Sequence, residues 1–239
     1  MRKRAECQAG SIRSEMNGKR SSGSANHSPE IRRRVSNRII GFSDGVFAIA
    51  ITLLVLTINV PSNLTSSEDV SGFLWQALPQ LVVYAAAFMV IGTFWLRHHR
   101  MLMLCRAVDG RMLVLNLVFL AFVSLLPFPT DLLGNVQTTT TVIAFCAVAG
   151  AATLCEIGLW RHLHRHRELL VPDLSQERVA SLTMWRLGAL GVFIIPLLVS
   201  LFFPRIAVLL VLALLPLYEM VFHGRFLRHI DLLYLLHDD

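Results

Sequence analysis

The sequence predicts an all-α polytopic membrane protein with six transmembrane helices. Of its 239 residues, 54% are hydrophobic and only 16% are charged, whereas about a quarter of a soluble domain is charged. The apolar residues are grouped in blocks of about 20, the number that spans about 30 Å of hydrocarbon as a helix. Basic residues are concentrated in alternate links between these blocks, which is the charge pattern of a chain that crosses a membrane repeatedly.

Residues 1–34 are polar and basic and precede the first apolar block. Low hydrophobicity and like charge predict a disordered tail, and the lack of an apolar run behind the first basic residues argues against a signal peptide. The run Arg32–Arg34 lies next to the membrane, where it either contacts anionic lipid headgroups or serves only as a topology signal. The net charge of +6 is attributed to cytoplasmic segments that are basic because of membrane topology. Nucleic acid is therefore not expected as a partner.

Residues 35–224 contain the six blocks and are predicted to form one transmembrane unit, followed by a short tail over 225–239. Pro61 is expected to end the first helix, because proline disfavours the helical conformation of the residue before it. Further prolines in later blocks predict kinks or helix ends. The predicted blocks are Ile39–Val60, Phe73–Leu96, Met112–Leu133, Thr139–Trp160, Ala180–Phe203 and Ile206–Phe222.

The links predict the orientation. Lys and Arg occur in the N-terminal tail, in the links after blocks two and four, and in the C-terminal tail, whereas the links after blocks one and three contain none and the fifth has only Arg205. The positive-inside rule therefore places both termini in the cytoplasm. The four cysteines show no paired spacing and are interpreted as packing residues or free thiols.

The first block carries polar groups in its first turns and a uniform apolar face beyond them. At 100° per residue, Ile49, Leu53 and Leu56 share one arc, with Thr52 on its flank. Asp44 lies about 140° from Ile49 on the same wheel. A charge in a membrane helix costs about 2.5–3.5 kcal/mol on insertion scales, so the carboxylate requires a partner.

The second block, antiparallel to the first, ends in polar residues at the same predicted membrane depth. Hydroxyl or carboxylate oxygens of the first helix are expected to accept hydrogen bonds from imidazole or indole groups of the second. The predicted network consists of Arg38, Ser43, Asp44, Trp95, His98 and His99. Two interpretations remain open, a buried polar cluster that fixes helix packing or a group that takes part in ion conduction.

Three motifs resemble the transmembrane protein 175 family of potassium channels. The first is Arg38-x-x-x-Phe42-Ser43-Asp44 with the apolar run behind it, and the second is Trp95-x-x-His98-His99. The third extends from Asn116-Leu117 to the Leu-Leu-Pro-Phe-Pro-Thr string at 125–130. The resemblance covers about 38–222 and leaves the N-terminal tail outside.

The resemblance implies a potassium-selective or weakly selective cation channel without a bound cofactor, K⁺ being the permeant ion. It implies that the first helix lines the pore, that Ile49, Leu53 and Leu56 form a hydrophobic constriction, and that Thr52 contributes to selectivity. Phe42 belongs to the motif and is grouped with the structural network. A single six-helix unit implies a homotetramer, and a bacterial plasma membrane is the expected location.

A transporter and a membrane enzyme or sensor are the alternatives to the channel. A secondary or proton-coupled cation transporter would use Arg38, Asp44 and His98 as a relay, and a membrane enzyme or sensor would use the same cluster. No Ser/His/Asp arrangement, phosphate loop or HExxH string occurs in the sequence, so an enzyme is not expected. The run 161–167 contains three Arg and three His. Because the arginines oppose a bound cation, the run is interpreted as a basic loop and no metal site is expected there.

Overall fold

The computed structural model describes residues 36–62, 65–171 and 175–235, without the side chains of 212, 216 and 222–235. The predicted disordered tail, 1–34, lies outside the described residues. The helices are α1 (36–53, continued by a 3₁₀ turn over Leu54–Thr57), α2 (Ser67–Met103), α3 (Gly110–Leu125), α4 (Pro127–Asn135), α5 (Thr139–Arg165), α6 (Gln176–Ser200) and α7 (Pro204–Leu235).

The prediction of six membrane-spanning helices is confirmed. Six helical segments in the described ranges are long and apolar enough to cross a bilayer, and α3 and α4 together make the third of them, Gly110–Asn135. Pro127 occupies the first position of α4, where its missing N–H breaks no helical hydrogen bond. By contrast, α2 and α6 continue through Pro79 and Pro196.

Several predicted helix ends are displaced, and α2 extends beyond the predicted block Phe73–Leu96 by six or seven residues at each end. The first block was predicted to reach Val60, but the helix tightens into the 3₁₀ turn and Ile58 is extended, with a ψ of 104°, so the helix ends before the residue that Pro61 constrains. The sixth block was predicted to end at Phe222, whereas the backbone of α7 is helical to Leu235. Residues 225–235 therefore continue α7.

Polar caps fix the loops between the spans. Ser66 accepts a hydrogen bond from the Asp69 amide and forms a capping box at the start of α2. Asp109 caps α3 through the Met112 amide, and its second oxygen lies 2.8 Å from His162 Nε2 on α5. Burial alone would raise the pKa of Asp109, but these hydrogen bonds outweigh it and hold that pKa below its usual value.

Helices α2, α3 and α4 each contact both the α1 segment and α5. Helix α5 packs against α3, α4 and α6, while α7 packs against α6, α2 and α5. Helix α1 packs against α2 and α3, with Phe47 against His98 and Phe119, and the 3₁₀ turn packs against α2 and α4. The chain therefore covers α1 on one side only.

A buried ion cluster ties α2, α5 and α6 together. Arg97 Nη2 lies 2.8 Å from Glu156 Oε2, and both side chains are only 1% exposed. Arg186 Nε lies 3.8 Å from the other carboxylate oxygen, and its guanidinium stacks over Trp160 at 4.2 Å. A carboxylate between two guanidiniums stabilises both, because unpaired charges at this depth are costly.

Glu156→Gln is expected to destabilise the protein by about 3–5 kcal/mol, because it removes the buried carboxylate that lies beside both Arg97 and Arg186. The measurement is the free energy of unfolding in detergent, followed through the thermal midpoint and the monodisperse fraction. Glu168→Gln is the matched control at a carboxylate that is 76% exposed, where the expected change is within about 0.5 kcal/mol. Equal midpoints for the two variants would contradict the assigned role of Glu156.

Candidate pore helix and its polar anchor

Helix α1 has one buried face and one exposed face. Ser43, Phe47, Ala50 and Leu54 recur at helical spacing and are at most 1% exposed. The opposite face forms a continuous stripe, which is called the α1 stripe below. Its large apolar side chains and their exposed fractions are Phe42 55%, Ile49 61%, Leu53 42% and Leu56 72%, and Arg38, Gly45 and Thr52 are also exposed along it.

The α1 stripe contains the predicted constriction residues. Ile49, Leu53 and Leu56 all lie on it, as the helical wheel indicated, and Thr52 lies with them. The Thr52 hydroxyl donates to the Ile49 carbonyl at 2.9 Å. Because this bond uses the only hydroxyl proton, the lone pairs of Thr52 Oγ1 remain free to accept a hydrogen bond or contact a cation.

On the edge of the buried face, Asp44 is held by the second helix. The Trp95 indole donates to Asp44 Oδ1 at 2.8 Å, and His99 Nδ1 lies 3.8 Å from the same oxygen, within reach of charge attraction but beyond a hydrogen bond. The His99 ring packs on the Trp95 ring with centroids 5.5 Å apart. Trp95 and His99 therefore form the contact that the sequence predicted between α1 and α2.

Ser43 is joined to a third helix. The Asn116 side-chain amide of α3 donates to Ser43 Oγ at 3.1 Å, and both residues are buried. The predicted partner of Ser43 was a histidine of α2. The network thus connects α1 to α2 through Asp44 and to α3 through Ser43, which fixes the rotation of α1 about its own axis.

Three predicted members lie outside this network, and one of them, Phe42, is 55% exposed on the α1 stripe. His98 is 1% exposed, but its ring is packed against Phe119 at 4.9 Å and Phe47 at 5.8 Å, and neither ring nitrogen has a hydrogen-bond partner among the described residues. Arg38 is exposed and forms no ion pair with Asp44 in the part of the chain that the structure describes. On the wheel Arg38 lies only about 20° from Ile49, so it points along the α1 stripe.

The far end of α1 has its own polar contact. Asn59 donates to Asn135 Oδ1 at 3.2 Å, and Gln80 of α2 approaches the same oxygen at 3.4 Å. The Asn135 amide in turn donates to Asp131. Helix α1 is therefore anchored at both ends, to α2 and α3 near its start and to α2 and α4 beyond its last turn.

Sequence reasoning missed the buried cluster of Arg97, Glu156 and Arg186. Both arginines were counted among loop charges, and Glu156 received no role. The available signal was a carboxylate inside the fourth apolar block, because an ionisable residue in a membrane helix requires a partner. Asn116 was noticed as part of a motif without being assigned to Ser43.

Comparison with known proteins places this geometry in a family. A family model described as endosomal/lysosomal potassium channel TMEM175 matches residues 38–127. A potassium channel of Streptomyces collinus is 37% identical over 166 residues, which cover 65% of this chain and 78% of that protein. The chain belongs to the TMEM175 family. The matched segment of the family model begins at Arg38 and contains α1, α2 and α3, the helices that carry the polar network.

Two further TMEM175 relatives extend the comparison. The human protein named endosomal/lysosomal proton channel TMEM175 is 32% identical over 167 residues, 62% of this chain and 31% of that protein. The crystal structure of a lysosomal potassium-selective channel TMEM175 homolog from Chamaesiphon minutus superposes with a TM-score of 0.67 and 27% identity, covering 78% of this chain and 97% of that one. The bundle described above is the TMEM175 channel fold.

Trp95→Phe is expected to cost about 1.5–3 kcal/mol, the range for a hydrogen bond to a charged group. The measurement is the free energy of unfolding in detergent, with Trp75→Phe as the control on the same helix at a side chain that is 76% exposed. In an Asp44→Asn background the cost of Trp95→Phe should shrink, because the two residues share one interaction. Strict additivity of the two substitutions would show that the bond does not stabilise α1.

Proposed function

We propose that this chain is the subunit of a potassium-conducting cation channel whose pore is lined by the α1 stripe. The observation that carries the proposal is that stripe, an exposed row along a helix whose other face is buried against the bundle. Phe47, Ala50 and Leu54 fill the space behind α1, so a pathway along this helix has to follow its exposed side. The relative from Streptomyces collinus, named a potassium channel, supports the same function.

The proposed assembly is a homotetramer with four α1 helices around its axis. A pore along the exposed side of α1 cannot be closed by one copy, because the remaining helices lie on the opposite side. Ring closure by identical copies is the usual solution for a soluble or membrane homo-oligomer. The resemblance to single-unit members of the family favours four copies over two.

The proposed orientation puts both termini in the cytoplasm and the chain in the plasma membrane. Supporting this, arginines are concentrated in and beside the α2–α3 link (Arg100, Arg106, Arg111) and the α5–α6 link (Arg161, Arg165, Arg167, Arg178), whereas the α1–α2 link has no Lys or Arg and leads into Glu68 and Asp69 in the first turn of α2. The start of α1, with Arg38, then faces the cytoplasm.

Ile49, Leu53 and Leu56 would form the narrow part of this pore. Branched aliphatic side chains cannot replace the hydration shell of an ion, but a ring of them closes a pore by excluding water. Potassium would pass more readily than sodium, because the larger ion loses its hydration water at lower cost. The lone pairs of Thr52 would partly compensate for that loss.

The transporter alternative is less well supported by the geometry. A proton relay through Arg38, Asp44 and His98 requires a connected series of donors and acceptors. His98 is enclosed by two phenylalanine rings, and Arg38 lies on the exposed stripe away from Asp44. A transporter would show flux coupled in fixed stoichiometry to a proton gradient, whereas a channel shows single-channel steps and a reversal potential set by the permeant ion.

Ile49→Asn is expected to raise the conductance and to lower selectivity for K⁺ over Na⁺, because a polar side chain keeps the constriction hydrated. Thr52→Val is expected to lower conductance and shift selectivity, because it removes an oxygen ligand. Reversal potentials under opposed K⁺ and Na⁺ gradients in planar bilayers measure both effects.

The matched control is Ile194→Asn on α6, at an isoleucine that is 51% exposed but lies on a different helix. It should leave the reversal potential unchanged. Unchanged selectivity in both Ile49→Asn and Thr52→Val would remove the assignment of the stripe to the pore. A proton gradient imposed in the same bilayers separates proton from potassium conduction.

A further inference from the structure

Arg38 is the charged residue of the α1 stripe. Within the span Ser36–Thr57 the sequence contains two charged residues, Arg38 and Asp44, and Asp44 is held by Trp95 on the other side of the helix. Arg38 precedes Ile49 by three helical turns and lies about 16 Å from it along the axis at 1.5 Å per residue. Its guanidinium is therefore placed in line with the constriction, at the beginning of the same face.

Arg38 does not stabilise its own helix in an evident way. In the described ranges no carboxylate pairs with it, so no ion pair in that part of the chain holds the guanidinium against the helix. The buried arginines Arg97 and Arg186 show the contrast, because each lies beside Glu156. An exposed, unpaired cation in this position acts mainly on mobile charges in the adjacent solution.

We propose that, in the assembled channel, Arg38 from each copy forms a ring of positive charge at the mouth of the pore where α1 begins, and that this ring limits cation entry from that side. The proposal rests on the proposed function, because it requires that the α1 stripe face the pore. With that face toward the axis, the guanidiniums of all copies converge on one aqueous mouth. Cations arriving from the opposite mouth meet the ring only after they have passed the constriction.

The expected effect follows from the potential at the mouth. Surface charges of one sign in a cleft produce potentials of the order of the thermal energy or more, and a potential of one thermal unit lowers the local concentration of a monovalent cation about 2.7-fold. Salt screens such a potential, because the Debye length falls from about 10 Å at 0.1 M to about 3 Å at 1 M. The current that enters from the Arg38 side should therefore be reduced at low salt and recover at high salt.

The test is the ratio of outward to inward current in inside-out patches with symmetrical KCl at about 50 mM, where the Debye length exceeds about 10 Å, and at about 1 M, where it is about 3 Å. The proposed orientation makes outward current the one that enters past Arg38. For Arg38→Gln we expect outward current at low salt to rise about two-fold or more over the unsubstituted protein, with little change in inward current. The difference should vanish at high salt, and Arg38→Lys should behave like the unsubstituted chain.

Arg111→Gln is the control, because it removes the same charge from an exposed residue at the start of α3, predicted on the same side of the membrane but off the α1 stripe. It should leave the ratio unchanged. Equal ratios for Arg38→Gln and the unsubstituted chain at low salt would overturn the proposal, as would a rise confined to inward current.

The unsubstituted channel alone provides a second test if Arg38→Gln does not assemble. Its ratio of outward to inward current should increase from low to high salt. A ratio that does not depend on salt would contradict the proposal that Arg38 forms a charged ring. If the unsubstituted protein conducts K⁺ but its current ratio does not depend on salt, only the proposal of an Arg38 ring is contradicted. If the unsubstituted protein conducts no K⁺, both the proposed function and the ring are contradicted.

Discussion

The structure depends on two hydrogen bonds that set the rotation of α1. Trp95 donates to Asp44 from α2, and Asn116 donates to Ser43 from α3. Inside a membrane the oxygens of Ser43 and Asp44 have few other donors, so turning the helix away from these partners would leave polar groups unsatisfied. The α1 stripe faces outward as a consequence, because it is the side of the helix opposite these anchors.

A second polar cluster holds the scaffold helices together and does not orient α1. Arg97, Glu156 and Arg186 join α2, α5 and α6 through two ion pairs. Membrane helices gain little hydrophobic energy by associating with one another, so packing and polar contacts hold them together. Because the buried ion cluster holds the scaffold together, the polar groups of α1 serve to orient that helix. The apolar side chains of α1 are then available to line the conduction pathway.

Much of this arrangement could be predicted from the sequence. Six apolar blocks predicted six spans, since block length relates directly to membrane thickness, and the period of α1 placed Ile49, Leu53 and Leu56 on one face. The partners of individual polar groups could not be predicted, because a wheel shows which side a residue takes but not which neighbour lies there. Thus His98 was expected in the network but packs between aromatic rings. Glu156 was overlooked, although a carboxylate inside an apolar block indicates that a cationic partner lies nearby.

The proposed pore requires that the α1 stripe faces water and not lipid. Cysteines introduced singly along α1 in a background without other cysteines, and treated with a small cationic thiol reagent during K⁺ current recording, test it most directly. Reagent should block current at 42, 45, 49 and 56 and leave current unchanged at 47, 50 and 54, which point into the bundle. Block at the second set, or at neither, would contradict the claim.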